Sequence, residues 1–347
     1  MIFDKLFGVF SKDLAIDLGT ANTIVIAKGE GIIINEPSVV ALRDDKYGKK
    51  NVMAVGKEAK EMLGKTPDNI KAIRPMKEGV IADFDVAEEM IRFFIKKATN
   101  NKSFFKIKPR VIICVPYGLT QVERRAVKDS AKSAGAREVI LIEEPIAAAV
   151  GAGLPINNPQ GNMVIDIGGG TTEIGIVSLD GLVKSRSIKV GGDRFDSDIV
   201  KYIKDRYNLI IGYQTAEDVK IKIGSAIGFD EEKKISITGR DQISGLLKEL
   251  EIDSKDIKEA LKEPLEEITT TLNEILEEIP PELASDIVEN GIALTGGGAL
   301  LHGLDKYLSQ KVKLPIYVVN DPLLSVAKGT GAMLKDPKLL KHVAIEK

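Results

Sequence analysis

One motif occurs twice in this chain, and it limits the available folds more than any other feature. Residues 14–27 read LAIDLGTANTIVIA and residues 163–177 read MVIDIGGGTTEIGIV. Each is an apolar run around one carboxylate, a turn of small residues, and a second apolar run. Short β-branched runs bounded by glycine predict two strands joined as a hairpin. Aligning Asp17 with Asp166 also aligns Gly19 with Gly168, Asn22 with Thr171 and Thr23 with Thr172. Internal similarity of this kind points to a duplicated unit. Gly168, Gly169 and Gly170 let the backbone approach closely, and successive N–H groups in such a turn make a concave anion site suited to phosphate. An ordinary hairpin turn would use glycine too. The second copy, with its own carboxylate, favours two acidic phosphate loops facing each other across one site. Their aspartates then stand where a Mg²⁺ ion and its water shell belong.

The chain has 347 residues, enough for a large core and more than one typical domain. Lys and Arg number 49 against 51 Asp and Glu, for a formal net charge of −2. This balance argues against nucleic acid as a partner, which calls for a basic footprint. Cys114 is the only cysteine, so no intramolecular disulfide framework exists and a reducing compartment fits. No apolar run is long enough to span a bilayer, and the first residues lack the pattern of a secretory signal.

The rest of the chain alternates strand and helix signals. Residues 31–42 read as strand, turn and strand. A helix is expected over 81–98, with Val86, Met90, Phe93 and Phe94 on one face and Asp83 or Asp85 as cap. Residues 110–116, RVIICVP, form the continuous apolar run of a strand buried on both faces, with Cys114 as inert packing. Residues 139–142 form another, halted by Glu143-Glu144-Pro145 before a small-residue helix. A carboxylate there is where open α/β sheets place their chemistry. Glu144 is expected to point inward and Glu143 to be surface charge. Further helices are expected over 120–135, 195–207, 215–224, 258–278, 282–290 and 325–334, the last returning to the first lobe. Residues 229–257 read as a short hairpin in a charged, irregular region.

Glu217 and Lys220 stand one turn apart. They read either as a surface ion pair or as contacts for an adenosine. A third glycine site, IALTGGGALLHG at 292–303, reads as a strand ending in Gly296, Gly297 and Gly298 with a helix starting at once. That arrangement suits phosphate or simply tight strand–helix packing. The Gly64-Lys65-Thr66 sequence lacks the earlier glycine of a Walker loop, that position being Ala59. His302 and His342 have no companions at zinc-ligand spacing.

Two segments suit a membrane surface. In MIFDKLFGVF, Phe3, Leu6, Phe7 and Phe10 share a helical face with Ile2 at the apolar end. This is either an interfacial anchor or a terminal segment packed on the body. Phe104 and Phe105 lie among lysines in NNKSFFKIK. They read as a loop touching anionic lipid or as the start of the next strand.

The stretches IDLGTANT, NEPSVVAL, AIRPMKEGVIADF, VERRAV, IEEPIAAAVGAGLPI, DIGGGTTE, TAEDVKIKIG, PPELASDI and LTGGGALLHGLD span nearly the whole chain. Together they resemble the actin, DnaK-type chaperone and sugar kinase superfamily, and within it the MreB family of bacterial actins. The resemblance implies an α/β, actin-like ATPase fold of two duplicated lobes with two small subdomains. Residues 1–33, 80–147 and 325–347 would form the first core and 34–79 its small subdomain. Residues 148–188 and 258–324 would form the second core and 189–257 its small subdomain. It implies ATP and Mg²⁺ as cofactors, with Asp17 and Asp166 holding the ion through water. Gly19, Thr20, Ala21 and Asn22 would wrap the β- and γ-phosphates from one side, and Gly168, Gly169, Gly170 and Thr171 from the other. Glu144 with Thr171 would orient the attacking water. Glu217 and Lys220 would meet the adenosine, and Gly296, Gly297, Gly298 and Ala299 would line its other flank. The resemblance further implies ATP-dependent homopolymer filaments at the inner face of the cytoplasmic membrane. Cell-wall elongation proteins would be the partners and rod shape the outcome. A soluble small-molecule kinase on the same fold is the alternative. A chaperone-type switch would need a peptide-binding domain that these residues do not supply.

Overall fold

Both repeated stretches fold as antiparallel hairpins. In the computed structural model, which describes residues 13–44, 50–99 and 108–345, β1 (Leu14–Leu18) pairs with β2 (Asn22–Ala27), and β3 (Gly31–Pro37) extends the pair. The membrane candidates Ile2, Phe3, Leu6, Phe7, Phe10, Phe104 and Phe105 lie outside the described residues. The strand–turn–strand expected over 31–42 is present, but β3 and β4 (Val40–Asp44) part into different sheets. Ser38 marks the parting. Its hydroxyl donates to Gly19 O at 2.7 Å and its N–H to Ala21 O at 2.9 Å, so the turn props up the first glycine loop.

β4 forms a small sheet with β5 (Lys50–Val55) and β6 (Ile70–Ile73). β7 (Met76–Lys77) and β8 (Val80–Ile81) form a short ribbon. β9 (Arg110–Val115) and β10 (Glu138–Glu143) complete the first large sheet in the order β10-β9-β1-β2-β3. The second half repeats the plan. β11 (Asn162–Ile167), β12 (Thr172–Ser178) and β13 (Gly181–Ile188) form its meander. β14 (Leu209–Ile210), β15 (Lys234–Asp241) and β16 (Leu247–Asp253) form a second small sheet. β17 (Ile292–Thr295) and β18 (Ile316–Val318) then complete the order β13-β12-β11-β17-β18.

Strand alternation sorts the core. In β9, Val111, Ile113 and Val115 join the cluster under the helix Phe84–Thr99, while Ile112 and Cys114 face the opposite side. That opposite side is shared by the two halves, since Val164 and Val177 of the second sheet enter the same cluster as Ile112 and Ile24. Each fully buried Ile or Val there contributes roughly 1.5–3 kcal/mol.

Two helices cross in this shared layer. Glu144–Gly151 follows β10 yet packs on β12, with Pro145 where a Cβ on Gly175 would stand at 2.5 Å. Ser325–Met333 follows the second sheet yet packs on β2, with Ile26 under Gly331. At their crossing a Cβ on Gly151 would lie 1.8 Å from Ser325 O, and one on Gly329 would lie 1.9 Å from Ala147 O. Glycine alone permits that approach.

Three expectations need correction. Phe93 is 38% exposed, at the edge of the stripe formed by Val86, Met90 and Phe94, where it meets Phe94 edge to face. The helix starts at Phe84 because Asp83 Oδ1 accepts from Val86 N. The long helix expected over 258–278 is two, Ser254–Ala260 and Lys262–Glu277. A proline ring clashes with the carbonyl four residues back, so Pro264 forces the break at Ala260. The α-helix expected directly after the third glycine run is a 3₁₀ turn, Gly297–Leu300, and the α-helix waits until Leu304. Among the described residues no helix is long and apolar enough to cross a membrane.

Candidate functional site

The two hairpin loops touch. A Cβ on Gly169 would lie 2.7 Å from the Ala21 methyl, and one on Gly170 would lie 2.4 Å from Thr20 Oγ1. Neither glycine has positive φ, so closeness of the loops, not turn geometry, demands them. Gly168 N–H closes its own turn on Thr171 O at 2.9 Å. The carbonyls of Gly168 and Gly169 accept from Gly192 and Asp193 N–H at 3.0 and 2.8 Å, tying the loop to the start of the helix Gly192–Tyr207. Gly79 N–H donates to Thr20 Oγ1 at 3.1 Å.

Asp17 and Asp166 end up on one cavity of about 530 Å³. Gly19, Thr20, Ala21, Asn22, Glu144, Gly168, Gly169, Gly170, Thr171, Glu217, Lys220, Gly296, Gly297 and Gly298 line it with them. Ala299 does not, because it turns into the hydrophobic core. Gly296 has φ 82°, and a Cβ there would lie 2.6 Å from Asp166 Oδ1. The third glycine run is therefore pressed against the second carboxylate.

Burial governs the acids. It pushes Asp17 up to about 7, with the Asp166 charge adding to the rise, and pushes Asp166 itself up to about 7. Glu144 is raised well above the usual carboxylate range by burial and then by Glu173, Asp17 and Asp166. Glu173, fully buried on β12, is raised by burial although it accepts from Ser187 Oγ at 2.6 Å and Tyr117 N at 3.2 Å. Tyr117 follows β9, so Glu173 bonds both halves. Glu143 is not the simple surface charge expected. Its side chain is 17% exposed, faces Arg124 at 3.9 Å, and is raised by burial against that cation.

Three cationic side chains of the cleft are already engaged. Lys60 pairs with Glu217 at 2.9 Å, Arg74 with Asp193 at 2.8 Å and Lys220 with Asp196 at 2.7 Å. Glu217 and Lys220 therefore do not form the ion pair with each other that their spacing allowed. Each reaches a partner from another element, and Lys220 also donates to Gly192 O at 3.0 Å. These three cations are thus held by acids other than Asp17 and Asp166. Asp166 Oδ1 is buried without a hydrogen-bond partner. Among the described residues no three potential ligands converge tightly enough to hold an ion directly. The orphaned oxygen fits the water shell of a Mg²⁺ ion, which sheds its waters reluctantly.

Sequence reading missed Lys60, Arg74, Asp193, Asp196 and Ser38. Glu173 carried a signal of its own, being a charge inside an otherwise apolar strand.

The chain is similar to known proteins along nearly its whole length. The family profile described as MreB/Mbl protein matches residues 11–342. The chain is 55% identical over 332 residues to the cell shape-determining protein MreB of Escherichia coli strain K12, covering 95% of each. It is 51% identical over 326 residues to the cell shape-determining protein Mbl of Bacillus subtilis strain 168, covering 94% of this chain and 96% of the relative. Among solved structures, MreB5 of Spiroplasma citri bound to AMPPNP superposes with a TM-score of 0.88 at 42% identity, over 94% of this chain and 97% of that one. A MamK double helical filament gives a TM-score of 0.78 at 22% identity, over 93% of this chain and 99% of that one, a likeness of fold. With an actin-like fold and sequence identity along nearly its whole length, the chain belongs to the MreB/Mbl family.

Proposed function

We propose that this chain is an ATP-dependent, filament-forming ATPase that works at the inner face of the cytoplasmic membrane and determines rod shape by organising peptidoglycan synthesis. The observation that carries the reading is the contact of two acidic hairpin loops over one cavity. The names of the relatives, cell shape-determining proteins, support its cellular part. The AMPPNP in the MreB5 structure supports its nucleotide.

In this reading Asp17 and Asp166 hold Mg²⁺ through water. When bound, the ion supplies positive charge that offsets the triphosphate and the buried acids. Gly19 to Asn22 and Gly168 to Thr171 take the β- and γ-phosphates from opposite sides. Glu144 and Thr171 orient a water in line with the γ-phosphorus. Positioning and charge neutralisation suffice for such a transfer, with no covalent nucleophile. Glu217 and Lys220 meet the adenosine, and Gly296, Gly297 and Gly298 border it. The four-part division puts the small subdomains at 34–79 and 189–257, a reading that the two small sheets support. Filaments arise from a head-to-tail contact that does not close. The segments with Ile2, Phe3, Leu6, Phe7, Phe10, Phe104 and Phe105 bind anionic lipid, and cell-wall elongation proteins are the partners.

The test is co-pelleting with anionic vesicles in Mg-ATP, read beside negative-stain images. Filaments on the vesicles are the expected result. A protein that stays monomeric at several micromolar while turning over ATP on a small substrate would replace this reading with the kinase.

A further inference from the structure

Glu173 is a buried acid with no part in the nucleotide contacts. It is fully covered on β12, and the described residues that line the Asp17–Asp166 cavity do not include it. A buried carboxylate is costly unless partners hold it, so its bonds mark what it serves. Ser187 Oγ, opposite it on β13, donates to one oxygen at 2.6 Å, and Tyr117 N–H donates to the other at 3.2 Å. The third partner is Thr171, whose side-chain hydrogen bond steadies the charged form of Glu173. Residues two apart on a strand share a face, so Glu173 lies on the same side of β12 as Gly175. Pro145 packs on that side, 2.5 Å from where a Cβ on Gly175 would stand. Glu144 adjoins Pro145, and of the charges acting on Glu144 that of Glu173 is the largest. Glu173 thus stands behind both residues assigned to the attacking water, Glu144 and Thr171.

The first half presses on Thr171 from another side. Gly79, in the turn between β7 and β8, has φ 77°, and a Cβ there would lie 2.9 Å from Thr171 Cγ2 and 2.7 Å from Pro116 Cγ. The Thr171 methyl is wedged against the first half while its hydroxyl bonds Glu173. Threonine has three staggered χ1 positions, and holding both branches leaves one. Tyr117 follows Pro116 and reaches Glu173 from the same half. The rotamer of Thr171 therefore depends on the two halves being together.

We propose that Glu173 is a positioning residue for hydrolysis: it holds the Thr171 hydroxyl in the rotamer that serves the water, and its bond to Tyr117 ties that rotamer to closure of the two halves. This rests on the ATPase reading above and adds the group that acts through Thr171. A threonine released from Glu173 still admits the nucleotide, so binding persists while the water loses its place. A misplacement of roughly 1 Å can cost on the order of 10²-fold in rate.

Steady-state turnover of Mg-ATP, read beside ATP affinity by calorimetry, tests this in a double-mutant cycle of Glu173→Gln and Thr171→Val. The glutamine amide can accept from Tyr117 N–H and donate to Ser187 Oγ, so fold and ATP affinity are expected to hold. Its kcat is expected to fall about tenfold with KM unchanged, as for loss of a hydrogen bond to a charged group. Thr171→Val removes the hydroxyl and keeps the shape. It is expected to lower kcat at least as far, and Glu173→Gln to cost nothing further in that background. Ser187→Ala changes an exposed residue and is expected to lower kcat about threefold. A Glu173→Gln protein with the parent's kcat, or one whose loss adds in full to that of Thr171→Val, would overturn the proposal. If Glu173→Gln does not fold, Ser187→Ala with the parent's kcat overturns it instead. A parent protein that binds Mg-ATP without turning it over would overturn the ATPase reading itself, and this inference with it.

Discussion

The hairpins β1–β2 and β11–β12 have the same register, the same neighbours and the same place in their sheets, yet one buried position differs in charge. Asp17 lies opposite Ile24, and Asp166 lies opposite Glu173. Each first strand pairs in parallel with a later strand, β9 or β17, and each second strand pairs antiparallel with the next, β3 or β13. The backbone was duplicated, but the chemistry was not. The first half keeps an apolar side chain at 4% exposure beside its aspartate, while the second keeps a fully buried carboxylate bonded to Tyr117 of the other half. The difference teaches that a duplicated frame can position a ligand symmetrically while one side alone carries the extra acid.

Making the halves alike should produce the largest effect. Ile24→Glu would bury a second acid beside Asp17, with the neutral Asn35 amide in the register position that Ser187 holds beside Glu173. It should cost about 3–5 kcal/mol, as an uncompensated buried charge does, read by urea denaturation. A loss under about 1 kcal/mol, within the range of surface substitutions, would show that the two positions are interchangeable. Next comes Glu144, which follows β10 and has no counterpart at the start of Ser325–Met333. Glu144→Ala should slow ATP hydrolysis by a factor on the order of 10² or more with nucleotide binding retained. Unchanged turnover would remove it from the reaction.

The crossing helices sharpen the comparison where the halves are most alike. Gly329→Ala would place a methyl against Ala147 O and should cost about 1–3 kcal/mol, as overpacking does. A neutral Tm would show that the crossing is looser than its geometry. The smallest effect is a slope with pH. Burial raises Asp17 and Asp166 from 3.8 to about 7. An acid raised in the folded state holds its proton more tightly there than in the unfolded chain. Its stabilising contribution is complete below the unfolded value and is lost as pH climbs through the folded one. Without nucleotide and Mg²⁺, Tm should fall from about pH 5 to about pH 8, and Asp166→Asn should flatten that fall. A Tm rising over this range would contradict the assignment.

The hairpins, the buried strands and the glycine loops were legible because each depends on a local pattern, alternation or a run of small residues. Cys114 was also read correctly, as a buried thiol 2.8 Å from Thr330 Oγ1 whose pKa is pushed up by burial. Phe93 was misplaced because i+3 and i+4 spacing both mark one helical face, and packing decides its edge. The break at Pro264 was readable in principle from its reach to the carbonyl four residues back. The cross-cleft pairs were not, since Lys60 and Glu217 are 157 residues apart and Arg74 and Asp193 are 119 apart. Only the folded sheets bring them together. The assignment of Glu144 and Thr171 to the attacking water came from resemblance, not from pattern.

The central claim is that both hairpins grip one metal-bound triphosphate. Anomalous diffraction from crystals grown with AMPPNP and Mn²⁺ in place of Mg²⁺ tests it most directly. The account predicts a single manganese peak between Asp17 and Asp166, separated from both by water, with phosphate oxygens on the backbone of both glycine loops. A nucleotide held by one loop alone, or a metal distant from either aspartate, would contradict it.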